Sequence, residues 1–566
     1  MVDSITVEVI RHSLEYIAEE MGIRLRNSAY SPNIKERMDH SCAVFDDRGR
    51  VLAQAEHIPT HLGSMAWGVK ETLKYMASEG IELREGDVLV TNNPYISGTH
   101  LNDVLAIAPI IFDGELLGYV ASKAHYVDVG GKVPGSIASD SVEVLEEGLT
   151  IPPVKIMEEG RLRKDLLKLI LANVRSPEII VGDLRAQIAA MDTGRRQVIG
   201  LVRKYGFGTV RMAFNEIIGY VERITRSRIQ RLPDFDVRAE DYLEDAGIEG
   251  GDAVIKVRIT KHDDEIVVDY NGSSPPVPAP LNTPLGVTIA STTFALKTVL
   301  DPELPVNDGF YHAVEIRAPR KTIVYAEYPA PVGASIETAQ RIVDVIYLAL
   351  SKAIPDKVPA GSCGSMNNLL IGGVSYREGK TWAFYETIAG GYGGRKGLDG
   401  VDASHCNMTN TMNTPIEVIE RELPILFTRY ELRPGSGGAG QWRGGTGVIR
   451  AFKILAPRAK VTVIGERVKY PPYGLLGGRP GKPAEYYIVR KSGEKIVLKS
   501  KDTIIVEQGD EVVIETAGGG GYGPPEKREE DKIIEDYENE LITLEEIEKV
   551  YDRHRLLSKL ILENRG

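Results

Sequence analysis

The sequence predicts an α+β protein of several domains: mixed α/β for most of its length, then a β-rich C-terminal domain and a terminal amphipathic helix. Three observations lead there. A chain of 566 residues exceeds what one hydrophobic core organises, which sets an expectation of about three or four domains. Apolar residues recur at helical spacing in some stretches and alternate in others, so helices and strands are interspersed. From Arg433 onward, Gly and Pro punctuate short alternating runs such as KVTVIGERV, AEYYIVR and EVVIETAGGGGYGPP, the pattern of antiparallel strands. The expected divisions are an N-terminal α+β domain over 1–235, a mixed α/β domain with a Gly-rich loop over 236–430, a β-rich domain over 431–525 and a charged helical tail over 526–566.

The first helix is expected from Thr6 to Met21, with Val9, Ile10, Leu14, Ile17 and Met21 on its apolar face and Gly22 as its stop. Ser41 to Phe45 and Val51 to Ala55 read as a hairpin around Asp46 to Gly49, with Asp39 just ahead of it. The following H-I-P-T-H holds His57 and His61 beside Pro59, which argues against a continuous helix there. Helices are expected over Asp165 to Ser176, Pro177 to Tyr205 and Val210 to Arg228, and a strand pair between Asp241 and Tyr270 with His262, Asp263 and Asp264 at a polar turn. Further helices are expected over Val287 to Leu300 and Ile336 to Ala353, with a strand near Thr322 to Glu327. Thr543 and Glu546 form a capping box. It opens a helix whose apolar face is Ile547, Val550, Tyr551, Leu557 and Ile561.

The chemistry concentrates between Asn92 and Ser136. Val104 to Phe112 and Glu115 to Lys123 flank an Asp113-Gly114 pair, a strong hairpin signal. A two-residue turn sets Phe112 opposite Glu115 and, carried to the open end, Asp103 opposite Ala124. The sequence H-L-N-D (His100, Asp103) enters that end and H-Y-V-D (His125, Asp128) leaves it. Opposed Cβ atoms sit roughly 5 Å apart, so two imidazoles and two carboxylates converge. In an extended strand an i,i+3 pair points to opposite faces, which puts both pairs in turns beyond the strand ends. His100, Asp103, His125 and Asp128 are therefore the expected ligands of a metal. Imidazole and carboxylate without thiolate suit divalent Mn, Zn or Fe, with Mg also compatible. Six of the 10 histidines lie between His12 and His125, so Asp39, His57 and His61 are expected to border this site as its catalytic groups.

Composition excludes other functions. Apolar residues at 42% and charged residues at 26% are ordinary for a globular protein. A net charge of −12 opposes nucleic acid as the main partner, since phosphate binding needs a basic surface. Three cysteines, Cys42, Cys363 and Cys406, cannot build a disulfide framework and fit a reducing compartment. With no leader pattern and no apolar run of membrane-spanning length, the expectation is a cytoplasmic protein with no membrane partner. Tyr385 to Glu420 is Gly-rich and reads equally as a phosphate cradle or a loop. No phosphate-binding G-x-x-x-x-G-K-[ST] occurs, because GLLGGRPGKP places Pro after the lysine. Any nucleotide is expected on another chain.

The stretches SPNIKERMDHSCAVFD, HIPTHLGSM, TNNPYISGTHLNDV, AHYVDVGGKVPGS, EEGLTIPPVKI, NTMNTPIEVIE, RPGSGGAGQWRGGTGV and GGGGYGPP together resemble the hydantoinase B/oxoprolinase family. Asn93 departs from that pattern, where Asp is common. The resemblance implies metal-site roles for His100, Asp103, His125 and Asp128, with Asp39 close by. It implies a hetero-oligomer in which ATP is bound by a hydantoinase A family ATPase subunit, which phosphorylates the substrate. The substrate would be a small cyclic amide such as 5-oxoproline or a hydantoin, opened by water at the site on this chain, with Asp39 or another nearby carboxylate as base. The same resemblance leaves open the metal-bearing subunit of an acetone- or acetophenone-type ATP-dependent carboxylase. A non-catalytic scaffold for the ATPase subunit is a third reading.

Overall fold

A computed structural model describes residues 2–55, 57–247, 251–374 and 381–552. In chain order, α1 (Ser4–Ser28), α2 (Pro32–Lys35), β1 (His40–Asp46), β2 (Val51–Gln54), α3 (Pro59–Ser78), β3 (Val88–Thr91), α4 (Pro94–Ser97), β4 (Asp103–Phe112), β5 (Glu115–His125), β6 (Val154–Glu158) and β7 (Arg161–Leu162) come first. They are followed by α5 (Lys164–Leu171), α6 (Pro177–Tyr205) and α7 (Phe207–Gln230). The seven strands make one sheet, ordered β2-β1-β5-β4-β3-β6-β7.

This sheet is buried on both faces, which explains why β4 reads as a nearly unbroken apolar run. Val104, Ala106, Ala108 and Ile110 face a core with Ile10, Leu14, Ile17 and Met21 of α1 and Leu184 and Ala190 of α6. The alternate residues Leu105 and Ile107 face Met65, Ala66 and Val69 of α3. Gly22 does not stop α1, which runs on to Ser28. Its missing side chain makes room for the His57 imidazole, which a Cβ at this position would strike. Val9, expected in the core, is exposed. No continuous helix spans His57 and His61, because α3 begins at Pro59 and leaves His57 ahead of it. Pro59 stands in the first turn of α3, where the absent N–H has no partner to lose.

The second sheet, β11-β10-β9-β8, comprises β8 (Phe235–Leu243), β9 (Ala253–His262), β10 (Glu265–Asp269) and β11 (Val314–Arg317), and α8 (Leu285–Leu300) and α9 (Ser335–Leu350) share its core. The expected strand near Thr322 is reduced to a single bridge to Tyr325. The remaining strands form two antiparallel sheets. One, ordered β13-β12-β16-β19, contains β12 (Asn368–Val374), β13 (Thr381–Glu386), β16 (Arg458–Ile464) and β19 (Lys501–Glu507). The other, ordered β14-β15-β20-β17-β18, contains β14 (Ile425–Leu432), β15 (Val448–Ile454), β17 (Glu485–Val489), β18 (Lys495–Val497) and β20 (Glu511–Glu515). Both contribute to one core through Leu369, Val461, Phe452, Ile488 and Ile514.

Between these elements, backbone segments rich in glycine lie directly against one another. Gly391 N donates to Ala517 O, Gly394 N to Gly520 O, Gly438 N to Gly519 O and Gly520 N to Gly361 O. A Cβ at Gly391, Gly444, Gly518 or Gly519 would overlap a neighbouring carbonyl. Of the glycines after Tyr385, Gly390, Gly391, Gly393, Gly394 and Gly400 are thus packing residues, while Gly397 has open space around it. The chain continues through α10 (Ile416–Glu422), before β14, and the last helices among the described residues are α11 (Glu530–Glu538) and α12 (Leu544–Lys549). The Thr543/Glu546 capping box opens α12, while Leu557 and Ile561 lie outside the described residues. Among the described residues no helix is long and apolar enough to cross a membrane.

Candidate metal centre

The site is assembled by local chain geometry at the open end of β4 and β5. The Asn93 carboxamide accepts from Tyr95 N at 3.1 Å and starts α4. Gly98 ends it in a left-handed conformation, φ 88°, where a side chain would be strained. A tight turn follows, in which Asp103 N donates to His100 O at 3.1 Å. This turn lets an i,i+3 pair address one point. Opposite it, His125 closes β5, and its N–H donates to Asp39 O at 3.1 Å.

The hairpin register differs by one residue from the expected one. Phe112 pairs with Glu115, but Ile111 pairs with Leu116 and Ile110 with Gly118, so Leu117 is bulged out. That extra residue sets Asp103 opposite His125 in place of Ala124.

His125 Nδ1 lies 3.3 Å from Asp103 Oδ1, and His100 Nε2 lies 3.6 Å from Asp103 Oδ2. The first turn of α3 brings His61 Nε2 within 3.4 Å of the same Oδ2. Asp39 flanks the group, 3.8 Å from His125 Nδ1 and 4.0 Å from His61 Nε2. Ligand atoms of His100, Asp103 and His125 all fall within 4.8 Å of one another. All five side chains are buried.

The electrostatics fit a cation. Neither Asp103 oxygen accepts a hydrogen bond, and His100 Nδ1 and His125 Nε2 are also without partners. Burial alone would push the Asp103 carboxyl upward, yet the His100 and His61 imidazoles hold it well below the usual carboxylate range. Burial pulls His100 down to about 4, partly offset by Asp103, so it is neutral and able to ligate near pH 7. A buried carboxylate without hydrogen-bond donors is costly unless a cation compensates it. Two imidazoles and one carboxylate are a donor set for a divalent ion.

Two expected site residues lie elsewhere. Asp128 is occupied by other partners. Its Oδ1 accepts from Gly130 N and Arg175 N, both at 3.0 Å, and its Oδ2 accepts from Gly135 N at 3.1 Å and Arg175 Nη1 at 2.9 Å. The backbone folds around this carboxylate, which corrects the expectation of a fourth ligand. His57 turns toward α1, with Nε2 3.6 Å from Glu19 and its ring 4.9 Å from that of His40.

Residues without a sequence signal complete the surroundings. Lys123 is fully buried, with Nζ donating to Ser97 O at 2.8 Å and Ser64 Oγ at 3.0 Å. Burial lowers it to about 7 against the pull of Asp103. Tyr385 of β13 stacks on the His125 ring, with centroids 4.9 Å apart and planes 16° from parallel. Arg37 lies against the same tyrosine, its Cζ 4.5 Å from the ring centroid. The centre therefore forms where the first sheet meets the β13 edge of another, a juxtaposition no local pattern encodes.

The model of the hydantoinase B/oxoprolinase family matches residues 3–525. The chain belongs to the hydantoinase B/oxoprolinase family. Within and around that family, it is 50% identical to an uncharacterized protein of Methanocaldococcus jannaschii over 97% of this chain and 96% of the relative. It is 33% identical to a putative D-/L-hydantoinase subunit of a Pseudomonas species, covering 96% and 94% of the two chains. It spans 42% of the length of 5-oxoprolinase 1 of Arabidopsis thaliana, at 34% identity. The crystal structure of the ATP-dependent caprolactamase from Pseudomonas jessenii superposes with a TM-score of 0.91 at 30% identity, over 97% of this chain and 96% of that one. The nucleotide-free structure of acetone carboxylase shares the fold, with a TM-score of 0.90 at 19% identity, over 100% of this chain and 83% of that one.

Proposed function

We propose that this chain is the metal-bearing subunit of an ATP-dependent hydrolase of cyclic amides, acting on a lactam or hydantoin ring activated by phosphorylation on a partner ATPase subunit. The observation that carries the reading is the buried Asp103 carboxylate, free of hydrogen bonds and ringed by His61, His100 and His125. Similarity to a caprolactamase along nearly the whole of both chains supports the substrate class. Similarity to one subunit of a hydantoinase supports the division of labour. His100, Asp103 and His125 would hold a divalent Mn, Zn or Fe ion. Such an ion lowers the pKa of water and polarises oxygen substituents at the reacting carbon.

The chain's own residues supply the rest. Asp39, buried and within 4.0 Å of both His61 and His125, is placed to take a proton from the attacking water and pass it toward the ring nitrogen as the C–N bond breaks. This leaves the phosphoryl group on the new carboxyl as an acyl phosphate that a second water cleaves to carboxylate and inorganic phosphate. His61, hydrogen-bonded through Nδ1 to Ser41 Oγ at 3.4 Å, directs Nε2 at the carboxylates. Burial of the whole group limits competing water.

The test is metal content of the purified chain, wild type beside His125→Ala, followed by ADP release with 5-oxoproline, hydantoins and caprolactam in the presence of a co-expressed ATPase subunit. About one ion per chain, lost in the variant, with lactam-dependent ADP release is the expected result. Turnover that requires a ketone and bicarbonate would replace the hydrolase with a carboxylase. Absence of metal in both proteins would refute the reading.

A further inference from the structure

Coordinating imidazoles are usually oriented by a hydrogen bond from the ring nitrogen that does not face the metal. His125 lacks one. Its Nδ1 faces Asp103 and Asp39, while Nε2 is buried with no partner. His100 touches it edge-on, with ring centroids 5.0 Å apart and planes at 76°, and offers no hydrogen bond to Nε2. The broad contact on the imidazole is the near-parallel face of Tyr385.

That tyrosine is itself held from several sides. Its phenol donates to Asn368 Oδ1 at 2.8 Å, and Asn368 Nδ2 donates to Glu337 Oε1 at 2.6 Å. Glu337 belongs to α9, is fully buried, and accepts a second bond from Met366 N at 3.0 Å. At the backbone, the Tyr385 carbonyl accepts from Arg37 Nη1 at 3.2 Å, and Arg37 Nη2 donates to Thr387 Oγ1 at 3.1 Å. Arg37 Nη2 also lies 3.8 Å from Asp39 Oδ2. The ring that meets His125 is thus anchored at its tip through α9 and at its base through the segment preceding β1.

We propose that Tyr385 is a positioning residue of the metal centre, fixing the plane of the His125 imidazole by stacking where a hydrogen bond to its distal nitrogen would ordinarily do so. This rests on the metal reading above. The role belongs to the ring, and the phenol serves only to hold the ring in place through Asn368. A stacked pair of this geometry is favourable beyond its buried area, and it resists rotation of the imidazole about its Cβ–Cγ bond. A distal anchor of this kind is the sort of contact whose loss costs roughly 10- to 100-fold in metal affinity.

The test uses the full chain stripped with a chelator and titrated with Mn2+ and Zn2+ by calorimetry. Co2+ absorption serves as a spectroscopic report on ligand geometry, and thermal melting controls for folding. Tyr385→Phe keeps the ring but loses its bond to Asn368 and should weaken binding only several-fold, whereas Tyr385→Leu should lose roughly 10- to 100-fold and shift the Co2+ spectrum. Should Tyr385→Leu fail to fold, Asn368→Ala keeps the ring but frees its tip, and is expected to weaken binding by a smaller, several-fold factor with a broadened spectrum. Wild-type affinity and spectrum in folded Tyr385→Leu, or in Asn368→Ala where Leu is not obtained, would overturn the positioning role alone. A wild-type chain that takes up no ion would refute the metal reading itself, and this role with it.

Discussion

Asp103 and His125 face one another across the mouth of the β4–β5 hairpin, the first residue of one strand opposite the last of the other, with Oδ1 3.3 Å from Nδ1. Neither Asp103 oxygen accepts a hydrogen bond. Asp103→Asn should therefore reduce affinity for a divalent ion by about 100-fold or more, exceeding the loss of an outer contact, and abolish turnover of the assembled complex. The metal-free variant should melt at or below the temperature of the metal-free wild type, because the folded state holds this carboxyl below its usual range and so favours the charge that the substitution removes. Calorimetric titration and a thermal melt on the same preparation check both halves.

Asp128 organises its loop through Gly130, Gly135 and Arg175. Asp128→Ala should lower unfolding free energy by about 2–4 kcal/mol, the cost of stranding several buried donors. Metal stoichiometry per folded chain should stay at the wild-type value. A variant that is fully stable yet metal-free would return Asp128 to the ligand set.

Glu147 is buried, with Oε1 accepting from Gly333 N at 2.7 Å and Oε2 from Val332 N at 3.0 Å. Burial raises its carboxyl from 4.5 to about 8 despite those donors. The folded state then holds the proton longer than the unfolded state, so the stability due to this group is full below about 4.5 and is lost as pH rises toward about 8. Glu147→Gln should flatten that decline. Denaturant unfolding across this pH window measures it, and parallel curves for the two proteins would show that Glu147 does not titrate there.

A Cβ on Gly519 would overlap the carbonyl of Tyr392. The neighbouring layer is backbone, which cannot give way as a side chain can. Gly519→Ala is expected to cost about 3 kcal/mol or more through overpacking, whereas Gly114→Ala, with open space around the added atom, should cost only the strain of its left-handed turn, about 1–2 kcal/mol. Comparing soluble yield and melting temperature of the two variants tests the contrast.

Much of the site was legible because its signals are short-range. Asp113-Gly114 between apolar runs specifies a hairpin, and a hairpin carries whatever stands at its ends to one place. The hairpin argument places His100, Asp103 and His125 together, as they lie in the structure, and the crowding of histidines adds Asp39 and His61, which approach the same group. The one-residue error in register came from Leu117, whose bulge leaves no mark in an alternating apolar strand. His57 was misplaced because its ring is received by Gly22, and that glycine reads from sequence as a helix stop.

What the sequence by itself determined are the features set by neighbours in the chain: the hairpin and its polar ends, the capped helices, the Gly-rich strands and, through its motifs, the family. Only the tertiary structure decided which polar groups share the site. Asp128 reads from sequence as a ligand and His61 as a group bordering the site, yet packing gives Asp128 to Arg175 and sends His61 to Asp103. Tyr385 reaches His125 only because β13 abuts the first sheet. The physical reason is that backbone propensity and turn chemistry act over a few residues, while the partner of a buried charge or ring is chosen by how whole sheets pack.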